Sequence, residues 1–135
     1  TIWQQRAEAV QTDGLDAIAA VTLKRWFAPK ALQSKPAEQA RDMLLAASPD
    51  GYAAACHAIS GTDFYTPTAG LRLPTLGIGG SEDGATPPDL VRETVELIPG
   101  ARMALLRRTG HLPCVEKPQD YAALLTNFLK ETGHV

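Results

Sequence analysis

Two side chains that could together move protons follow two short apolar runs in this sequence. Asp83 comes just after the run at residues 73–80, and His111 comes just after the run at residues 101–106. A buried carboxylate can hold an imidazole in one tautomer, so that the ring accepts a proton from an attacking hydroxyl group. The residue types at positions 83 and 111 therefore predict an acid–base pair for nucleophilic catalysis.

The two apolar runs predict strands of one parallel sheet. Residues 73–80 are apolar and end in glycines, which is typical of a buried strand that breaks sharply at its carboxyl end. Residues 101–106 predict a second such strand. Because ligands of open parallel sheets bind beyond the carboxyl ends of the strands, we expect Asp83 and His111 to meet there.

A helix is predicted between the two strands, with the right-handed crossover usual for such units. Thr86 is expected to cap it, Pro87 to occupy its first turn and Asp89 to complete a capping box. Pro99 and Gly100 are expected to end it. This arrangement places the loop that carries the acid directly before a helix.

The rest of the chain predicts helices before this unit and one after it. Residues 63–70 are expected to form a loop, and a last helix is expected to open at Pro118. Two parallel strands need further strands at their edges and apolar cover on both faces, so we expect the remaining strands to lie outside this chain. The four helices predicted before the sheet cover residues 1–13, 15–27, 36–47 and 48–60.

Composition narrows the classes of function and location. The chain has 135 residues, a net charge of −2 and an isoelectric point near 5.9, which gives no reason to expect a nucleic acid or an anionic membrane as partner. Two cysteines do not make a disulfide framework, so a cytoplasmic location is expected. No ligand spacing typical of a metal site occurs, and neither a metal nor another cofactor is predicted.

Several motifs together carry a resemblance to a known family. They are Gly79-Gly80-Ser81-Glu82-Asp83, Ile98-Pro99-Gly100-Ala101, Gly110-His111-Leu112 and, near the start, Arg25-Trp26-Phe27. With them the chain resembles the carboxyl-terminal half of an α/β-hydrolase, and the lactonase group, the 3-oxoadipate enol-lactonases, in particular. The resemblance implies an α/β fold in which a four-helix lid at residues 1–62 precedes the last βαβα part of the core at residues 63–135.

The resemblance also implies catalytic roles. Asp83 matches the acid and His111 the base of a Ser-His-Asp triad, in the chain order of the fold. No serine of this chain lies in a Gly-x-Ser-x-Gly elbow. We therefore expect the nucleophile to come from a missing amino-terminal half. The unpaired strand edges are expected to associate with that half or with a second copy of the chain.

The expected substrate is a small molecule with a carboxylic ester or lactone bond. The lactonase resemblance implies 3-oxoadipate enol-lactone, an intermediate in the degradation of aromatic compounds. Its free carboxylate calls for a cation, and Arg6 and Arg25 are the candidates, since a guanidinium can bind a carboxylate through two hydrogen bonds. Trp26 is a candidate wall of the pocket.

Alternatives remain open for the activity and for single residues. Within enzymes, the triad motifs fit a carboxylesterase or a cofactor-free haloperoxidase-like relative equally well. Outside enzymes, a fragment that only binds or assembles is the second interpretation. Glu82 is the nearest rival to Asp83, Arg25 is as compatible with a solvated or ion-paired surface role, and Trp26 with a place in the core.

Overall fold

The computed structural model describes residues 1–135, which form two compact units. The first unit comprises Thr1–Lys24 and Leu32–Asp63, and the second comprises Arg25–Ala31 and Phe64–Val135. The predicted domains, 1–62 and 63–135, stay a prediction. The compact units differ from them mainly in residues 25–31, which belong to the second unit although they come before residue 63.

The first unit is helical. Its helices begin where side chains can accept hydrogen bonds from free amide groups: Thr1, Ser34 and Ser48 cap α1, α3 and α4. Proline follows in the first turn of α3 and α4, where its missing N–H costs nothing. The helices are α1 (Ile2–Asp13), α2 (Asp16–Trp26), whose last two residues belong to the second unit, α3 (Lys35–Leu45) and α4 (Pro49–Ser60).

Helices α1 and α4 pack closely because small residues face each other. Ala7, Ala53 and Cys56 are almost fully buried, and Trp3 and Tyr52 pack around them. Small side chains let the two backbones approach, and the larger aromatic rings then cover the contact. This core lies entirely within the helical unit.

The second unit is built on a parallel pair of strands. Strand β1 (Leu76–Gly80) pairs with β2 (Arg102–Leu106), with Gly80 opposite Leu106, so both carboxyl ends lie at one edge. Helix α6 (Pro88–Glu96) connects the strands and packs on them. A 3-10 turn (Pro29–Ala31) and the helices α5 (Tyr65–Ala69), α7 (Pro113–Glu116) and α8 (Pro118–Glu131) complete the unit.

Three local predictions differ from the structure. Part of the expected loop at residues 63–70 forms α5, and a four-residue helix, α7, was not predicted. Helix α6 begins at Pro88, one residue later than expected, and no side chain caps it. Thr86 is not its cap, because the Thr86 hydroxyl group donates to Asp83 instead.

The sheet has only these two strands, so each strand has one unpaired edge. Several leucines in and around the sheet are about half exposed. This is unusual, because the strands of a parallel sheet are normally covered on both faces. The exposed leucines are Leu73, Leu90, Leu105 and Leu125.

The chain contains no helix with the length and apolar character that a membrane span needs.

A first prediction concerns the glycine at the end of β1. A Cβ at Gly80 would lie 2.0 Å from the Gly110 carbonyl oxygen and 2.3 Å from that of Thr109. Gly80→Ala should therefore lower the free energy of unfolding by about 2 to 3 kcal/mol, measured by chemical denaturation. Gly79→Ala is the matched control, since its Cβ would meet only ordinary contacts at 3.6 Å. Equal losses in the two variants would contradict this account.

Candidate active site

The loop after β1 is held against the loop after β2 by main-chain hydrogen bonds. The Ser81 amide donates to the Leu106 carbonyl, and the Glu82 amide donates to the Thr109 carbonyl, both at 2.9 Å. The Asp83 amide then turns back to the Gly80 carbonyl at 3.3 Å. These bonds continue the parallel pairing by two residues and present Asp83 at the edge where both strands end.

The Asp83 carboxylate is buried and fully hydrogen-bonded. Its side chain is 4% exposed. Oδ1 accepts from the amides of Ala85 at 2.7 Å and Thr86 at 2.8 Å. Oδ2 accepts from the Thr86 hydroxyl group at 2.9 Å and lies 2.9 Å from Nδ1 of His111. A buried charge is tolerated only when its acceptor positions are filled in this way.

Two opposing effects set the pKa of Asp83. Burial is the largest single effect and acts to raise the pKa, because it disfavours the charged form. The hydrogen bonds from His111, Thr86 and Ala85 favour the carboxylate and together outweigh burial, so the pKa of Asp83 is lowered from its ordinary value of 3.8. The group is therefore a carboxylate at neutral pH.

The contact with Asp83 determines which nitrogen of His111 carries the proton. Since Oδ2 of the ionised Asp83 can only accept, we assign the proton of the neutral ring to Nδ1. The Thr86 hydroxyl oxygen lies 3.2 Å from the same nitrogen. Nε2 has no hydrogen-bond partner within the chain, and the side chain is 33% exposed. The ring is thus oriented by the acid and has a free lone pair on Nε2.

The loop that carries His111 is fixed from the other side by Glu116. Its carboxylate accepts from the amide of Gly110 at 2.7 Å and from that of Ala28 at 3.3 Å. A side chain at position 110 could not be accommodated, because its Cβ would lie 2.4 Å from the Trp26 carbonyl oxygen. The hydrogen bond to Glu116 and the close approach to Trp26 therefore hold Gly110, the residue before His111, in a single position.

The other predicted site residues have distinct surroundings. Arg25 donates from Nε to the Gly84 carbonyl at 2.9 Å, and the Trp26 carbonyl accepts from the His111 amide at 2.7 Å. Arg6 lies in the helical unit, where Nε donates to the Tyr52 hydroxyl oxygen at 2.7 Å. The side chain of the rival acid, Glu82, makes no hydrogen bond or ion pair. The substrate-binding roles of Arg6, Arg25 and Trp26 stay predictions.

Sequence reasoning missed Thr86 and Glu116 as parts of this site. Thr86 was assigned to helix capping, and the Thr-Pro-Pro sequence offered no signal against that role. Glu116 lies in a short helix that was not predicted. Its position five residues after His111 could have suggested a contact with the same loop, but its actual partners are main-chain amides, which no side-chain pattern reveals.

Comparison with known proteins shows which proteins share this sequence and geometry. No protein-family model matches the chain. It is 32% identical over 133 residues to 3-oxoadipate enol-lactonase 1 of Acinetobacter baylyi, covering 95% of this chain and 48% of that protein. The crystal structure of the enol-lactonase from Burkholderia xenovorans superposes with a TM-score of 0.88 at 31% identity, over 96% of this chain and 50% of the other. The chain matches the carboxyl-terminal half of an α/β-hydrolase.

A second solved structure is similar to nearly the whole chain. A thermophilic esterase from Thermogutta terrifontis superposes with a TM-score of 0.88 at 27% identity, over 98% of this chain and 50% of the other. This chain thus spans about half the length of the relatives compared with it. The predicted resemblance to the carboxyl-terminal half of an α/β-hydrolase and the predicted partial fold are both confirmed.

A second prediction tests the hydrogen bonds of Asp83. Thr86→Val removes the hydroxyl donor to Oδ2 and should raise the pKa of Asp83, because one interaction that favours the carboxylate is lost. A pH titration of the Asp83 carboxyl carbon by NMR measures the change. Thr86→Ser keeps the hydroxyl group and should keep the pKa. A pKa that is unchanged in Thr86→Val would contradict the assigned donor.

Proposed function

We propose that this chain is the acid–base half of a serine-type hydrolase that acts on a carboxylic ester or a lactone. The observation that carries the proposal is the contact of 2.9 Å between Oδ2 of the buried Asp83 and Nδ1 of His111, with Nε2 left free. This is the arrangement that a general base needs when it activates a hydroxyl nucleophile. The similarity of the chain to two enol-lactonases supports the same reaction class.

In the proposed reaction, Nε2 of His111 takes the proton of a serine hydroxyl group as its oxygen attacks the substrate carbonyl carbon. Asp83 stabilises the imidazolium that forms, and the protonated ring then gives the proton to the leaving oxygen. A water molecule, deprotonated by the same nitrogen, hydrolyses the acyl-enzyme and releases the serine. No step requires a metal or another cofactor.

We propose that the serine and the amide groups that bind the oxyanion come from an amino-terminal half outside residues 1–135, and that the strand edges associate with this half or with a second copy. Two features support this: no serine here lies in a nucleophile elbow, and each strand has one unpaired edge beside half-exposed leucines. Unpaired edges and exposed apolar surface favour association with further strands.

Two free cysteines agree with a location in the reducing cytoplasm.

For the substrate, we propose 3-oxoadipate enol-lactone, because the relative from Acinetobacter baylyi is a 3-oxoadipate enol-lactonase. The proposed reaction would then belong to the degradation of aromatic compounds. Arg6 is the candidate for binding a substrate carboxylate, because both of its hydrogen-bond partners, Tyr52 and Thr22, are neutral and no carboxylate offsets its charge. A simple ester is the second candidate substrate, which the esterase match favours.

A third prediction tests the acid–base pair in the polypeptide that joins this chain to the nucleophile. Asp83→Asn should lower kcat by about ten-thousand-fold, since the amide no longer holds the productive tautomer, and His111→Ala should lower it further. Steady-state hydrolysis of the enol-lactone and of an aryl ester measures both. His57→Ala is the control, because this helix residue lies in the other unit. Residues 1–135 alone should show no hydrolysis that depends on His111.

A fourth prediction tests Arg6 with two substrates. Arg6→Ala should raise KM at least about tenfold for the enol-lactone, which has a free carboxylate, and leave KM for a neutral aryl ester within about twofold. Damage to the fold would affect both substrates alike, so the ratio isolates carboxylate binding. Arg6→Lys keeps the charge, so its KM for the enol-lactone should lie between those of the unmodified protein and Arg6→Ala. An equal change of KM for both substrates would remove Arg6 from substrate binding.

A further inference from the structure

The carboxyl-terminal end of α2 is bonded to both loops of the candidate site. The Arg25 carbonyl accepts from the Gly84 amide at 3.0 Å, and the next carbonyl, that of Trp26, accepts from the His111 amide at 2.7 Å. The last carbonyl groups of a helix have no partner within the helix and are free to accept such bonds. Two successive residues thus fix the distance between the loop of the acid and the loop of the base.

The Arg25 side chain acts on the same peptide groups that bind Asp83. Its Nε donates to the Gly84 carbonyl at 2.9 Å, and that carbonyl shares a peptide unit with the Ala85 amide, a donor to Oδ1 of Asp83. A terminal nitrogen lies 3.5 Å from the Ala85 carbonyl, which shares a peptide unit with the Thr86 amide, the other donor to Oδ1. Hydrogen bonds in such chains polarise one another.

We propose that Arg25 is a positioning residue for Asp83, one that fixes and polarises the two peptide groups whose N–H bonds donate to Oδ1. This inference rests on the proposed function for its catalytic consequence. Arg25 forms no ion pair with a carboxylate, so its charge is directed to these carbonyl groups. Through Asp83 it orients His111, and it need not touch the substrate.

Steady-state kinetics in the complete polypeptide separates positioning from substrate binding. Arg25→Ala should lower kcat roughly tenfold to a hundredfold, with KM within about twofold, because a shift of the acid misaligns the base. Arg25→Lys, which keeps one donor, should recover part of kcat. Lys24→Ala on the same helix turn is the control, since Lys24 is exposed and makes no hydrogen bond. A raised KM with unchanged kcat, or no change in either, would overturn the proposal.

A second variant disturbs the same contact without removing a charge. A Cβ at Gly84 would lie 3.1 Å from the Arg25 Cα atom and 3.3 Å from its carbonyl oxygen, so Gly84→Ala should push the loop away from the helix end. The expected result is a lower kcat with KM unchanged, as in Arg25→Ala. Full kcat in Gly84→Ala, with the hydrogen bond from Arg25 Nε to the residue 84 carbonyl lost, would count against the proposal.

A spectroscopic measurement keeps the test independent of turnover. In ¹⁵N NMR spectra, the neutral His111 ring should be protonated at Nδ1 in the unmodified protein and become a mixture of tautomers in Arg25→Ala. His57 and His134 serve as internal references that should not change. An unchanged tautomer in Arg25→Ala would overturn the positioning role and leave the proposed function standing. The expected change in a complete polypeptide that hydrolyses neither esters nor lactones would support positioning and contradict the proposed function.

Discussion

A buried carboxylate that touches an imidazole is the interaction on which the second unit depends. The whole Asp83 residue is only 7% exposed, and a charge in such a place is stable only if nearly every lone pair accepts a hydrogen bond. Four donors surround it, and three of them belong to the two residues Ala85 and Thr86 that follow closely in the chain. The loop therefore folds around its own acid, and the position left over at Oδ2 selects the orientation of His111.

This contact requires a closer approach of main chains than side chains would allow. Gly80 faces the carbonyl groups of residues 109 and 110, and Gly110 faces the main chain of Trp26. At both positions a Cβ would lie less than 2.5 Å from a carbonyl oxygen, so no rearrangement of flexible side chains could admit it. The absence of side chains at these places lets amide groups reach their acceptors, and Glu116 supplies an acceptor where none exists in the main chain.

Much of this arrangement could be predicted from local sequence, and the remainder could not. The strands, the connecting helix and the meeting of Asp83 with His111 follow from apolar periodicity and from the rule that parallel strands end at one edge. The role of Thr86 did not follow, because capping a helix and donating to Asp83 use the same hydroxyl group, and only the folded loop decides between them. The charge of Arg25 predicts contact with a ligand, and this stays a prediction; its hydrogen bond to the Gly84 carbonyl depends on tertiary structure and could not be predicted.

The source of each hydrogen bond also explains how the contact between Asp83 and His111 can form within these residues alone. Every donor to Asp83 and the main-chain acceptor for the His111 amide lie in the second unit, at residues 26, 85, 86 and 111. The orientation of the ring therefore needs nothing from a nucleophile. In the reaction proposed above, a segment that supplies a hydroxyl group and oxyanion donors would meet a base whose direction is already fixed, which removes part of the entropic cost of catalysis. The free Nε2 on a partly exposed ring is accessible to such a segment.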